Sequence, residues 1–452
     1  MSLETIYALS SGAGPTGVAV IRVSGPEAQN ITTSLCGKLP KDRVAQLSRL
    51  IDRSDNSILD EALVLFFKGP RSFTGEDVVE FHIHGGRAVI SSLLNKLSTF
   101  PNCRMAERGE FSRRGFENGK LDLIEVEGLA DLIAADTLGQ KSQALSQLGG
   151  ETSKLYEGWR SDLIYAIALV ESALDFSDEA DVPEDIAGEA LPTVQTLYSK
   201  IETFLDDGAR GEIVRDGFRV VIVGPPNAGK SRLLNALAKR DVAIVSDEAG
   251  TTRDVIEVRL DIDGLPVIVT DTAGIRETKS KVELEGIRRS FEQARQAELI
   301  LFLIDGTNPQ IEPQMVPDFD LDDDLLRGEI PVLKVWNKSD LAEVPIEISK
   351  KIDVIISAQE GAGLGKLTQL ISQAVNDRVG QGEAVVITRE RHRELLRKCS
   401  DELENFLEGD LSDTELRAED LRQAAFSLGR LVGRVDVEDV LDKIFIEFCI
   451  GK

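Results

Sequence analysis

Between residues 1 and 118 the apolar positions either alternate with polar ones or run together in short stretches closed by Gly and Pro. TIYALS, GVAVIRVSG, EALVLFFKG and DVVEFHIHGG read as strands on that pattern, with one amphipathic helix over Ala88–Leu97 behind the last of them. From Leu121 to Phe176 the apolar spacing changes to three and four, which predicts helix. The acidic stretch DFSDEADVPED interrupts it as a loop, and a further helix is expected over Leu191–Asp206. At Phe218 the texture switches to strands alternating with helices as far as Asn376, the pattern of an α/β unit, and from Glu390 onward it is helical again. Two helical stretches around an α/β unit point to one helical domain with the α/β unit inserted into it; the alternative is two separate helical domains. The chain is therefore expected to be multidomain, part α/β and part all-α, divided at 1–118, 119–214, 215–378 and 379–452.

Composition narrows the partners. The formal net charge of the 452 residues is −26, so the surface as a whole does not attract nucleic acid. Any RNA must be held by local basic patches or by another protein. TRERHRELLRK (Thr388–Lys398), with five Lys/Arg against two Glu, is one candidate patch, the plainer reading being a solvated helix face. The four cysteines, Cys36, Cys103, Cys399 and Cys449, are scattered without a CxxC pair, which argues against a disulfide framework or a zinc site. There is no apolar run of membrane length and no secretory signal pattern, so a reducing, cytoplasmic setting without membrane contact is expected. His82 and His84 alternate along a strand and so share a face, though spacing supplies no third ligand for a metal.

The chemistry is concentrated in the α/β unit. FRVVIVG has strand length and apolarity, GPPNAGKS (Gly224–Ser231) follows, and a helical LLNALAKR comes next. This is a phosphate-binding loop in its required strand–loop–helix context. Gly224 and Gly229 let backbone N–H groups turn toward phosphate oxygens, and the helix starting near Lys230 presents its positive end to the same anion. Lys230 is placed to reach the β- and γ-phosphates and the Ser231 hydroxyl to ligate Mg²⁺. Four further motifs follow in order. TTRD (Thr251–Asp254) fits a switch segment with Thr252 as a second Mg²⁺ ligand. In DTAG (Asp271–Gly274), Asp271 would hold Mg²⁺ through water and the Gly274 N–H would meet the γ-phosphate. NKSD (Asn337–Asp340) ends a strand, and SAQ (Ser357–Gln359) fits a base-contacting loop. Asp340 accepts from guanine N1–H and the 2-amino group; adenine offers neither, and the carboxylate would be left unpaired, so GTP is expected rather than ATP. The position after DTAG is Ile275, which cannot orient water as the glutamine of signalling GTPases does. Asn227 offers a neutral oxygen beside the phosphates, suited either to a monovalent cation in place of an arginine finger or only to shaping the loop.

With these motifs in hand, the chain resembles the MnmE (TrmE) family of bacterial tRNA-modification GTPases over essentially its full length. The resemblance is carried by GVAVIRVSGP, SFTGEDVVEFHIHGG, EFSRRGFENGKLDLIEVEGLADLI, GPPNAGKSRLLNAL, AGTTRD, DTAGIRET and above all the terminal FCIGK (Phe448–Lys452). It implies an N-terminal α+β folate-binding domain that also forms a homodimer, a discontinuous helical domain, and an inserted Ras-like P-loop GTPase. It implies a heterotetramer with a flavin-dependent partner of the MnmG (GidA) type. Together they would use a one-carbon unit of 5-formyl- or methylene-tetrahydrofolate to build an aminomethyl or carboxymethylaminomethyl group on C5 of the tRNA wobble uridine. By the same resemblance GTP is contacted by Asn227, Ala228, Gly229, Lys230, Ser231 and Arg232, then by Ser246, Asp247, Glu248, Ala249, Gly250, Thr251 and Thr252. Asp271, Thr272, Ala273 and Gly274 follow, and the base is met by Asn337, Lys338, Asp340, Ser357, Ala358 and Gln359. K⁺ would be held by Asn227, Ser246, Glu248 and Thr251, the attacking water organised by Glu283, and folate bound by Arg22, Glu80, Lys120 and Lys452. Position 246 is Ser where the family commonly has Thr, which retains the oxygen ligand, and position 280 is Ser where Asp is common. Cys449, in the terminal motif, becomes a candidate for the modification chemistry, against the reading of a small buried hydrophobe. A ribosome-assembly or signalling switch GTPase, and a folate-dependent transferase merely gated by GTP, are the competing classes.

Overall fold

The computed structural model describes residues 4–12, 14–175, 187–206, 209–225, 227–240, 243–244, 256–271, 297–309, 330–380, 386–409 and 413–435, with 441, 444–445, 448 and 451. They form two compact units. One comprises residues 1–130, 147–197 and 398–452, the other residues 131–146 and 198–397.

The first unit is built on a six-stranded sheet in the order β3-β4-β5-β2-β1-β6. Its strands are β1 (Thr5–Leu9), β2 (Thr16–Ser24), β3 (Gln46–Asp52), β4 (Ser57–Phe67), β5 (Val78–Gly85) and β6 (Cys103–Met105). Only the β1–β6 pair is parallel. The two faces of this sheet do different things. On one, Ile21, Val23, Val64, Phe81 and Ile83 are buried against α1 (Ala28–Cys36) and α2 (Arg87–Leu97), through Ile31, Leu35, Leu93 and Leu97. Full burial of side chains of this size stabilises by about 1.5–3 kcal/mol each. On the other, Ile6 and Ala8 pack with Phe111 of α3 (Glu110–Glu117), and further along that face Leu47 and Leu63 sit directly opposite each other, 67% and 40% exposed.

The strands and the helix read from the N-terminal pattern are present; α1, α3, β3 and β6 are additions to it. In α1, Thr32 and Thr33 are poor helix formers, but their hydroxyls bond back to the carbonyls of Ala28 and Gln29 while Ile31 and Leu35 bury. The expected helical run resolves into α4 (Leu123–Ala134), α5 (Leu138–Leu148) and the 25-residue α6 (Glu151–Asp175). The helix expected at Leu191–Asp206 is present as α7, and α8 (Ala209–Asp216) leads into the second unit's sheet.

That second sheet runs β12-β11-β10-β7-β9-β8. Its members are β7 (Phe218–Val223), β8 (Ile256–Ile262), β9 (Leu265–Asp271), β10 (Leu299–Asp305), β11 (Val332–Asn337) and β12 (Val354–Ile355), parallel except for the β8–β9 hairpin. Both faces are covered, which explains why strands such as LILFLI (299–304) are apolar throughout. Val220 and Ile222 pack with α9 (Lys230–Ala238) and α10 (Leu364–Val379), while Val221 and Val223 pack with Phe302, Ile304 and Trp336. Strand order reverses at β7, whose neighbours β9 and β10 are reached by connections running in opposite directions. In open α/β sheets ligands bind at the carboxyl ends of the strands beside such a reversal.

The helices α11 (Glu390–Glu408) and α12 (Thr414–Leu431) follow, α12 starting on an Asp413 side chain that accepts from the Leu416 N–H. Residues 131–146 belong to the nucleotide-binding unit. The Gly139 N–H donates to the Gly264 carbonyl at the tip of the β8–β9 hairpin, and Asp131 accepts from both Arg215 and Arg389. In the basic run 388–398, Arg389 pairs with Asp131 and Arg393 with Glu212, leaving Arg397 and Lys398 as its exposed cations.

Candidate functional site: a nucleotide site and a second polar site

Every described nucleotide motif sits at the carboxyl edge of the parallel sheet. β7 ends at the phosphate loop, β9 at Asp271, β10 at Asp305, β11 at Asn337, and β12 runs toward Ser357. The loop closes on Gly229, at φ 98°, and α9 begins at Lys230 with its first N–H groups facing the loop. Asn227 also has positive φ, 65°, so its shaping of the loop is visible in the backbone, while its side chain is exposed. The Lys230 ammonium donates to the Gly224 and Pro225 carbonyls at 2.8 and 3.1 Å, which lays it across the loop. Burial pushes its pKa below the ordinary lysine value, opposed by the Asp271 carboxylate. An anion in the loop would relieve that penalty. The Ser231 hydroxyl donates to Asp271 Oδ2 at 2.5 Å, so the two oxygens expected to serve Mg²⁺ are adjacent.

The base-recognition loops are cross-linked to the phosphate loop. Asn337, 2% exposed, donates through Nδ2 to the Ala228 carbonyl and accepts at Oδ1 from the Ala358 N–H. One buried amide thus fixes two loops. The Ser357 hydroxyl donates to Asp340 Oδ1 at 2.6 Å and aims that carboxylate. Arg232 donates to the Gln359 side chain at 3.2 Å. Asn337→Ala would leave both loop partners unpaired at about 1–3 kcal/mol each. GTP affinity is expected to fall roughly hundredfold, read by calorimetric titration; an unchanged affinity would show that the loops hold without it.

Sequence reasoning passed over Asp305. Its carboxylate accepts from Lys338 Nζ at 2.6 Å and from Thr307. Burial alone would raise its pKa, but the Lys338 and Thr307 hydrogen bonds outweigh that and hold it below the ordinary carboxylate range. The available signal was an acid ending the apolar strand LILFLID. The expected contacts Ser246, Asp247, Glu248, Ala249, Gly250, Thr251, Thr252, Thr272, Ala273, Gly274 and Glu283 lie outside the described residues, as do Cys449 and Lys452.

The first unit carries a second site. Arg22 on β2 and Glu80 on β5 are cross-strand partners, and the Arg22 Nε and Nη2 both donate to Glu80 Oε1, at 3.0 and 2.9 Å. The other carboxylate oxygen faces His82 Nε2 at 3.4 Å, a buried nitrogen without a hydrogen-bond partner. The Arg22 guanidinium lies 5.4 and 5.6 Å from the ring centroids of Phe73 and Phe111. Lys120 is brought to the same region, its Cε 3.4 Å from where a Cβ on Gly75 would lie. The chain's end docks beside it: Gly451 is buried, and its carbonyl accepts from the Ser10 hydroxyl at 2.8 Å, next to the strand whose Ala8 pairs with Arg22.

Comparisons with known proteins bear on both sites. A family model described as MnmE helical domain matches residues 123–449, and one described as GTP-binding protein TrmE N-terminus matches residues 5–120. A protein named tRNA modification GTPase MnmE from Parvibaculum lavamentivorans is 50% identical over 455 residues, covering 100% of both chains. Its namesake in Rhizobium etli is 49% identical over 449 residues, covering 99% of each. Among solved structures, Aquifex aeolicus Era bound to GDP and aluminium fluoride covers 41% of this chain and 66% of its own, at 27% identity and a TM-score of 0.27. Among the described residues no helix is long and apolar enough to cross a membrane.

Proposed function

The chain belongs to the MnmE family of tRNA modification GTPases, a GTP hydrolase by that membership, and on this premise we propose how it works. It is a K⁺-activated, cytoplasmic GTPase acting as a homodimer. With a flavin-dependent partner it adds an aminomethyl or carboxymethylaminomethyl group to C5 of the tRNA wobble uridine, taking a one-carbon unit from 5-formyl- or methylene-tetrahydrofolate. The division into domains at 1–118, 119–214, 215–378 and 379–452 belongs to the same reading.

The observation that carries the folate half is the Arg22–Glu80 pair beside the docked Gly451. A pterin presents an amide N–H and a 2-amino group, which the free side of the Glu80 carboxylate accepts. Lys120 and Lys452 suit the anionic glutamyl tail. For dimerisation, the exposed Leu47–Leu63 pair on the open face of the first sheet is an apolar surface of the right kind.

In the GTPase, Lys230 and the start of α9 bind and orient the phosphates, and Asp340 selects guanine. Ser231 and Asp271 form the hard-oxygen pair that Mg²⁺ prefers, with Thr252 as a further ligand. Bound there, Mg²⁺ neutralises phosphate charge. Asn227, Ser246, Glu248 and Thr251 would hold K⁺ in the place of an arginine finger, and Glu283 would orient water. Support for the cation reading is the Asn227 side chain, exposed on the loop surface. GTP turnover is expected to be at least about tenfold slower in NaCl than in matched KCl, given what a transition-state cation contributes; equal rates would remove the cation from the mechanism. The whole assignment is tested by nucleoside mass spectrometry of tRNA from a deletion strain. Loss of the wobble-uridine modification is expected, restored by this chain, and intact modification would refute it.

A further inference from the structure

Helix α3 contributes one arginine that the activity so far leaves unused. Arg114 is 3% exposed, and its guanidinium bonds with Glu76 at 3.0 Å, with Glu110 at 3.0 Å and with the Glu4 carbonyl at 2.9 Å. Taking such charges out of water costs several kcal/mol per ion before their attraction is counted, and apolar packing of the same volume is often as stable. A buried ion pair is therefore weak as a stabilising device, and its geometric consequence is the more informative quantity.

That geometry leads to the second site. The Glu76 carboxylate accepts from Ser24 at 2.7 Å, Ser24 bonds with Thr74 at 2.7 Å, and the Thr74 carbonyl accepts from Asn118 at 2.7 Å. The 72–77 turn is thus clamped from three sides. It carries Phe73, which lies beside the Arg22 guanidinium, and Gly75, against which the Asn118 and Lys120 stems pack. Phe111, the other ring beside Arg22, stands one turn before Arg114 on the same helix. A shift of the turn would move Arg22 and Lys120 apart.

We propose that Arg114, acting through Glu76, is a positioning residue for the Arg22–Glu80–Lys120 site: it fixes the 72–77 turn so that these groups meet one anionic, pterin-bearing ligand together. The proposal rests on the folate reading of that site. Arg114 itself touches no ligand.

The test is calorimetric titration of the full-length protein with 5-formyltetrahydrofolate. In the double variant Arg114→Met/Glu76→Gln both charges of the pair are removed, which leaves neither ion of that pair stranded. Its Kd is expected to rise at least about tenfold with unchanged stoichiometry, because misplacement of binding groups by an ångström is costly. Ser24→Ala, a milder cut in the same chain of bonds, is expected to raise Kd about threefold or more. Arg114→Lys, which keeps a cation near Glu76, should recover part of the loss. GTP turnover should be unchanged in all of them. Reduced stoichiometry at wild-type Kd, or wild-type Kd in both the double variant and Ser24→Ala, overturns the positioning role; should the double variant not fold, Ser24→Ala decides alone. Arg22→Ala separates the two claims. If it also binds like wild type, the folate assignment fails; if it loses binding while the double variant keeps it, only the role of Arg114 fails.

Discussion

Gly451→Ala is expected to abolish productive tetrahydrofolate binding while GTP hydrolysis continues at its normal rate. The cause is steric. Gly451 has φ of 102°, a region costly for residues with a side chain, and a Cβ built there would stand 2.1 Å from the Leu9 carbonyl oxygen. That oxygen belongs to β1, where Leu9 pairs with Ile21 of β2, and moving it aside would disturb that pairing. The tail must therefore move, and the bond from Ser10 to the Gly451 carbonyl goes with it. Phe448 and Phe445, buried with Leu123 and Val126, would still anchor the segment before it, so the damage should stay local. Affinity for 5-formyltetrahydrofolate should fall roughly hundredfold, and tRNA from cells relying on this variant should lack the wobble modification. Wild-type affinity would mean that the docked tail is not part of the site.

The second large effect concerns another glycine held in a conformation that a side chain does not fit. Gly229→Ala is expected to remove GTP binding and hence turnover. At φ 98° an alanine is strained, and its Cβ would lie 2.4 Å from Asn337 Nδ2. Asn337 cannot yield cheaply, because the same amide holds Ala228 and Ala358. Either the phosphate loop opens or the base loop is pushed away from it. A displacement of about an ångström in a binding constellation can cost a hundredfold. Equilibrium binding of a fluorescent GDP should show a loss of that order, with the first unit's ligand binding intact. Tight nucleotide binding by this variant would show that the Asn337 bridge is dispensable.

These two sites were legible in the sequence to different degrees. The phosphate loop could be read directly, since a strand, a loop and a helix adjacent in the chain build it. Asp271, Asn337 and Ser357 could be ordered along the chain because each follows an apolar run of strand length. What local pattern does not carry is register. Arg22 and Glu80 are 58 residues apart and meet only because β2 and β5 pair in one particular alignment, so they were reached through family resemblance alone. Arg114 escaped notice for the same reason: its partners Glu4 and Glu76 lie far away in sequence, and EFSRRGFE looks like a charged surface helix. In the run 388–398, too, nothing local announces that Arg389 is matched by Asp131. Periodicity likewise showed that residues 121–176 are helical without showing that part of that stretch packs with the nucleotide-binding sheet.

That shared packing has a consequence for how the polypeptide is made. Asp131 leaves the ribosome 258 residues before Arg389, one of its two arginine partners. At usual elongation speeds this gap lasts on the order of tens of seconds. The β8–β9 hairpin that 131–146 bonds through Gly264 emerges partway through that interval, but the second arginine comes only at its end, so the nucleotide-binding unit is finished by a late segment closing on an early one. Shortened translation products that stop before residue 389 are thus expected to display an incomplete module, a state that chaperones and proteases are suited to detect.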